Sequence, residues 1–524
     1  MVKVIRKAPI VIVVLTAIAT AFGAIPQSSR GGEIDRLSIE GHRLLDRGDY
    51  DQALAVFDRI LRLFPLNIDA RIDYALTLLC MGRFDDALIE YDKALFVDSR
   101  NIVSLLGKSQ AFLSIYEYDL SLPWLDRTLT IDPKCHVAYQ KSAWARLGLN
   151  QDERALEDLN QAIALAVREP ASVRSGYLLS RASVEMRLGR TPIAENDVDA
   201  AIELVPEGYA GFATRGELLD RLGRHEDATN DYKTALRLGP KIEPVAPSYN
   251  GPRIKLVTIA GVRGRSSGLS AMGFCNERLG NPLAAIKFFD LAITIDPKNA
   301  SAYVARAFAR FTRGDLNGTR DDIVAAHELD KQDANTLLLR TALDAIEKPG
   351  ESIYAAHAYV DLRSWSDPEA MTAAIIGSMG AIRAEHRDDA DPLLDDAGKP
   401  LHDTDWPKPI LKYLKRFIDE KTLIEAAATN DQKSEAHAYL AIELSFAGKR
   451  VQAAEQLEWL VKNGNKRSLS YDLAINEFRR SNPELIAKIF PAPPAETPRT
   501  KDAIKAAKRK TRTAPTRKKQ GKSR

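Results

Sequence analysis

The sequence predicts an all-α chain: a right-handed superhelical solenoid of helix pairs, then a C-terminal helical unit and a disordered basic tail. Two patterns and one composition carry that expectation. Small residues recur every 34 positions, each followed at fixed offsets by a second small residue and a bulky one. A glycine recurs midway through most periods. Alanine and leucine are abundant while aromatic residues are only 7% of the chain, which favours helix. With 524 residues the chain is too long for one compact core and suits an array.

The first four units place Gly41, Ala75, Ser109 and Ala143 at the small position, with Phe57, Tyr91, Leu125 and Leu159 sixteen residues on. An insertion around Arg168-Glu169-Pro170 shifts the frame, and units five and six restart at Ala182 and Gly216, paired with Val198 and Tyr232. After a longer insertion, units seven and eight start at Gly273 and Ala307, paired with Phe289 and Ile323. A small residue lets two antiparallel helices approach closely, and the bulky one packs the second helix onto the first. Pro65, Pro206, Pro240 and Pro297 close second helices, because proline cannot continue a helix. Gly48, Gly82, Gly189, Gly223, Gly280 and Gly314 supply the positive φ that ends a first helix. The third unit is the weakest. Pro123 falls inside its second helix, which predicts a late start or a kink.

Over residues 33–335 this pattern resembles the tetratricopeptide repeat family. The resemblance implies a binding scaffold in which the first helix of each unit lines a concave face. The period then gives Ile72, Leu76 and Leu79 in unit two, Leu106, Gln110 and Leu113 in unit three, and Gln140 and Trp144 in unit four. Units six to eight give Glu217, Asp220, Phe274 and Phe308. The earlier section is apolar and the later one mixes charge with aromatics. The Lys/Asn set that chaperone-binding members use to grip a terminal carboxylate is absent, so the expected partner is a protein helix or extended segment with apolar anchors. The sequence does not set the oligomeric state.

The repeats divide into units one to six over 33–242 and units seven and eight over 265–335. Residues 243–264, rich in proline, read as an inserted loop. Residues 336–405 read as an irregular helical connector, with helices over 335–346 and 368–386. Its acidic run Asp388-Asp389-Ala390-Asp391-Pro392 with Asp395-Asp396 lacks the ligand alternation and glycine turn of a calcium loop and reads as a solvated loop. Residues 406–486 form a further repeat-like unit. Its Trp406-Pro407-Lys408-Pro409 opening and Glu435-Ala436-His437-Ala438-Tyr439-Leu440 helix resemble the C-terminal unit of Nlp-type bacterial tetratricopeptide lipoproteins. That likeness implies an adaptor in the cell envelope, although no anchor cysteine is present here.

The two ends differ from the body. Residues 1–24 join Lys3, Arg6 and Lys7 to an apolar run and a small-residue site, the plan of a secretory signal or an uncleaved inner-membrane anchor. Export to a bacterial periplasm is the expectation. The net charge of +3 hides an asymmetry: the last 26 residues hold 12 Lys or Arg against Asp502 alone. The stretch 487–524 is too polar to repay ordering. Lys508, Arg509, Lys510, Arg512, Arg517, Lys518 and Lys519 are candidates for an anionic partner: lipid headgroups, an acidic wall polymer or an acidic protein. Nucleic acid is the less favoured ligand, since no aromatic residue is there to stack on bases.

Nothing in the sequence marks catalysis. There is no phosphate loop, zinc-protease motif or nucleophile elbow, and the eight histidines are dispersed. Cys80, Cys135 and Cys275 lie far from metal-ligand spacing and read as small buried residues, as His437 reads as a packing residue. No cofactor or metal is expected. The sequence thus points to a non-enzymatic scaffold that holds other proteins, with an electrostatic tether through the tail as the alternative.

Overall fold

The computed structural model describes residues 27–239, 262–365 and 367–490. The export segment 1–24, most of the inserted loop 243–264 and the basic residues from Lys508 to Lys519 lie outside the described residues. Eight helix pairs follow the expected register: α1 (Gln27–Arg47) and α2 (Tyr50–Leu63), α3 (Ile68–Cys80) and α4 (Phe84–Val97), α5 (Ile102–Ser114) and α6 (Tyr118–Ile131), α7 (His136–Gly148) and α8 (Asp152–Leu165), α9 (Ala171–Arg187) and α10 (Thr191–Leu204), α11 (Tyr209–Arg221) and α12 (His225–Leu238), α13 (Val262–Arg278) and α14 (Pro282–Ile295), α15 (Ala300–Arg313) and α16 (Leu316–Leu329). Helix α13 takes the last three residues of the expected loop. No described helix is long and apolar enough to cross a membrane.

The physical reason for the repeat shows at its small positions. A methyl group on Gly41 would come within 2.6 Å of the Phe57 ring, on Gly216 within 2.7 Å of Tyr232, and on Gly273 within 2.4 Å of Phe289. These rings are fully buried against the bare backbone. The turn glycines adopt φ of +70° to +82°. Units three and four lack a turn glycine and put Tyr116 at φ +62° and Asn150 at +56°, a strained conformation for such side chains. Pro123 does not delay α6, contrary to the expected late start: the helix runs through it from Tyr118. The carbonyl it leaves unpaired belongs to the exposed Asp119, where water can take the bond.

Residues 336–405 are not irregular. They hold two further pairs, α17 (Ala334–Glu347) with α18 (Ser352–Arg363), and α19 (Pro368–Arg383) with α20 (Arg387–Gly398). The acidic run expected as a loop is α20 itself. Asp388 and Asp389 occupy its first turn, where the helix dipole favours carboxylates, while Ala390, Leu393, Leu394 and Ala397 are buried. The chain ends in α21 (Lys408–Leu414), α22 (Glu420–Ala426), α23 (Asn430–Phe446), α24 (Arg450–Asn463), α25 (Leu469–Ser481) and α26 (Pro483–Ile489).

Two kinds of core result. Units one to seven bury small local clusters, each shared by adjacent helices, such as Ala53, Phe57 and Ile60 with Leu37. From Ala307 onward one continuous cluster joins Phe311, Leu343, Ile376, Tyr439 and Phe478. It is continuous because α25 returns across α15 and α17. There Asn476 Nδ2 donates to the Phe311 carbonyl at 2.7 Å, and buried Arg383 meets buried Glu477 at 3.1 Å. The three cysteines are buried and unbonded to one another. His437 is buried too, stacked 3.8 Å from Trp459.

Two alanine substitutions separate packing from propensity. Gly216→Ala would gain about 1 kcal/mol of helix propensity yet overpack Tyr232, so a net loss of about 1–2 kcal/mol is expected in chemical denaturation. Gly176→Ala, mid-helix with nothing within 4 Å of the added carbon, should instead gain about 0.5–1 kcal/mol.

Candidate functional site

The superhelix closes on itself. Tyr116, held in its left-handed turn, accepts from the Ala300 amide at 2.8 Å and donates to the Lys298 carbonyl at 3.1 Å. Tyr118 donates to Asp330 at 2.9 Å. Arg363 reaches from the end of α18 to Asn150 Oδ1 at 2.8 Å and Asp152 at 3.3 Å, while also gripping Asp367. The inter-helix turns of units three and four thus meet the loops before α15 and α17 and the end of α18.

A second closure joins unit six to the C-terminal unit. Asp220 accepts from Tyr232 Oη at 3.0 Å and Arg278 Nε at 3.1 Å, contacts His225 Nδ1 at 3.0 Å, and is bound by Arg467 from the loop before α25. His225 bridges onward to Asp431 at 3.2 Å, and Arg467 also donates to Thr229 at 2.6 Å. Burial alone would raise the Asp220 carboxyl, but Arg278, the His225 bond and Arg467 outweigh it and hold the group below its usual range.

Between these closures lies a cavity of about 600 Å³. One wall is the inner face of units three to six: Gln110, Leu113, Trp144, Ser183, Met186 and Glu217. The other comes from later in the chain: Asp330, Asp333, Tyr359, Arg363, Asp367 and Glu369. Trp144 is 49% exposed, unusual for a tryptophan inside a solenoid. Behind Gln110 sits Lys141, bound to its amide oxygen, and burial pushes that ammonium down to about 8.

The twelve residues expected on the concave face divide sharply. Gln110, Leu113, Trp144 and Glu217 line the cavity. Ile72, Leu76, Leu79 and Leu106 are at most 8% exposed, their surfaces taken up by neighbouring helices. Asp220 is committed to the closure just described. Phe274 packs edge-on to Tyr232 at 5.9 Å, Phe308 packs against the large core, and Gln140 is half-buried outside the cavity. The expectation missed Tyr116, Tyr118, Arg363, Asp367 and Glu369. Tyr116 carried a signal, since it replaces the turn glycine of unit three, and Tyr118 lies two residues on. The others lie in the stretch that lacks the 34-residue register.

Sequence profiles described as tetratricopeptide repeat match residues 44–105, 179–241 and 269–299. The chain is a tetratricopeptide repeat protein. Such repeats typically mediate protein–protein interactions and are usually non-catalytic. The matched stretches end at residue 299, so the Nlp-type likeness of 406–486 rests on its sequence alone. No curated protein matches the chain. Solved structures similar to it include MamA from Desulfovibrio magneticus RS-1 (22% identity, 33% of this chain, 94% of that one, TM-score 0.29). A tetratricopeptide repeat protein from Parabacteroides merdae is similar at 17% identity over 53% of this chain and 99% of that one, with TM-score 0.39. YrrB, titled a repeat protein with an unusual peptide-binding site, is similar at 16% identity over 40% of this chain and 95% of that one, with TM-score 0.25.

The closure has a pH dependence. Asp472 accepts from Thr312 Oγ1 at 2.7 Å, and burial pushes its carboxyl up to about 7. An unfolded chain loses that proton at the ordinary carboxylate value, so between the two values the folded state holds the extra proton and stability falls as pH rises. Asp472 by itself should contribute a loss of about 2–3 kcal/mol from pH 5 to pH 8, and Asp472→Asn should make the pH slope of thermal melts shallower by about that amount, leaving the share of other buried carboxyls such as Glu435 in place.

Proposed function

We propose that this tetratricopeptide repeat protein is a non-catalytic adaptor that receives an extended segment of a partner protein in its central cavity. The observation that carries this reading is Trp144: a large aromatic side chain left half bare inside a cavity lined by the inner helices of four consecutive units. Aromatic side chains with uncovered area are the anchors that dominate binding energy at interfaces. Around it Gln110, Ser183 and Ser270 offer hydrogen bonds to a main chain, while Leu113, Leu147 and Met186 offer apolar contact. A cavity of about 600 Å³ holds a few side chains of an extended strand, not a whole helix, which narrows the expected partner to an extended segment.

The compartment belongs to the same proposal. The basic start and apolar run of residues 1–24 support export, and with it a partner in the cell envelope. The Nlp-type likeness of 406–486 supports the same location.

A photo-crosslinking amino acid at position 144 of the full chain, expressed in its own cell, should give one discrete protein adduct. Ser270→Trp, which fills the cavity, should abolish it. An adduct pattern no different from that of the same label at Phe96, on the outer face and 86% exposed, would remove the cavity from the account.

A further inference from the structure

The cavity's charge is unbalanced, and the imbalance has a direction. Five carboxylates line it: Glu217, Asp330, Asp333, Asp367 and Glu369. The lining arginines are already engaged, Arg221 with Glu217, Arg363 with Asp367 and Asp152, and Arg187 with Asp152. Asp330, Asp333 and Glu369 have no Lys or Arg within ion-pair distance among the described residues. Their hydrogen bonds come from neutral groups, Tyr118 and the Gln332 amide for Asp330 and Thr336 for Asp333, while Arg187 acts on Asp333, and Arg221 and Arg278 on Glu369, only from beyond ion-pair distance. The cavity therefore fits a cationic segment better than a neutral one.

The same chain carries such a segment. Its last 26 residues hold 12 Lys or Arg and a single acid. The distance is short enough. Helix α15 begins at the cavity, where Asn299 and Ser301 line it, and its 14 residues end at Arg313, next to Thr312, which Asp472 and Arg479 hold. Following α15 and then α26 to Phe490 covers on the order of 50 Å, whereas the roughly 18 residues from there to Lys508 can span about 60 Å. A tethered segment of this reach is presented to its site at about millimolar local concentration, so weak ion pairs suffice to seat it.

We infer that the basic segment around Lys508, Arg509 and Lys510 docks in the central cavity of its own chain, against Glu369, Asp333 and Asp330, and competes there with the partner's segment. This rests on the cavity being the adaptor site and adds how that site is regulated: a partner enters by displacing the tail. Burial raises the carboxyls of Asp330, Asp333 and Glu369, and an entering ammonium or guanidinium would offset that cost.

Zero-length carbodiimide coupling of the full chain at micromolar concentration, read by peptide mass spectrometry, tests this. Links within one chain from Lys508 or Lys510 to Glu369, Asp333 or Asp330 are expected. They should exceed links to Asp403, whose side chain is 82% exposed, by about tenfold. Glu369→Gln should reduce links at Asp333 severalfold, and 0.5 M salt should remove them. Links distributed according to exposure, with Asp403 favoured, would overturn the inference. So would tail links found only between chains. The label at position 144 keeps the two readings apart. If it still captures a partner while the tail does not couple, the adaptor reading stands and the tail inference falls. If replacing Lys508, Arg509 and Lys510 by glutamine raises partner capture, competition is established; capture left unchanged contradicts it.

Discussion

The arrangement depends on one carboxylate. Asp220 sits on the inner face of unit six with side-chain partners from its own helix pair, from unit seven and from the loop before α25. Without it, Arg278 and Arg467 would be left as cations at a largely dry interface, a situation that typically costs 3–5 kcal/mol. The interaction is long in sequence, with 247 residues separating Asp220 from Arg467. Together with the Tyr116, Tyr118 and Arg363 contacts, it turns a linear stack of helix pairs into a closed body with an interior.

Closure changes what the repeats do. In an open stack each unit answers only to its neighbours, and its inner face is free along its length. Here the chain's own later helices cover part of the inner faces of units six to eight. What stays open is the cavity between units three to six and the residues around Asp330 and Glu369. The closing contacts between turns are mostly polar side chains with little apolar area, the kind of interface across which relative motion is the default expectation. A binding site behind such a seam can exchange its occupant without unfolding any unit.

The repeats were legible because their constraint is local. Gly216 and Tyr232 lie sixteen residues apart and fit each other by volume, and the same fit recurs at Gly41 and Phe57 and at Gly273 and Phe289. The turn glycines were legible for the same reason. The helix at 387–398 was not, since a run of aspartates reads as solvated whether it forms a loop or the first turn and outer face of a helix whose leucines point inward. The closure was not legible at all. Arg363 with Asp152, His225 with Asp431 and Arg467 with Asp220 are single pairs with no period, and nothing local marks them. As a result the period placed Trp144 and Gln110, which line the cavity, in one set with Ile72 and Leu76, which neighbouring helices cover, and held no reason to separate them.

The central claim is that the chain is closed around an interior by these few polar ties. Small-angle scattering of the full chain beside the double variant Arg363→Ala/Arg467→Ala measures it most directly. The account predicts a compact wild-type profile and a larger radius of gyration and maximum dimension in the variant, with helical content unchanged. A wild-type profile already as extended as an open superhelix, and unaffected by the two substitutions, would contradict it.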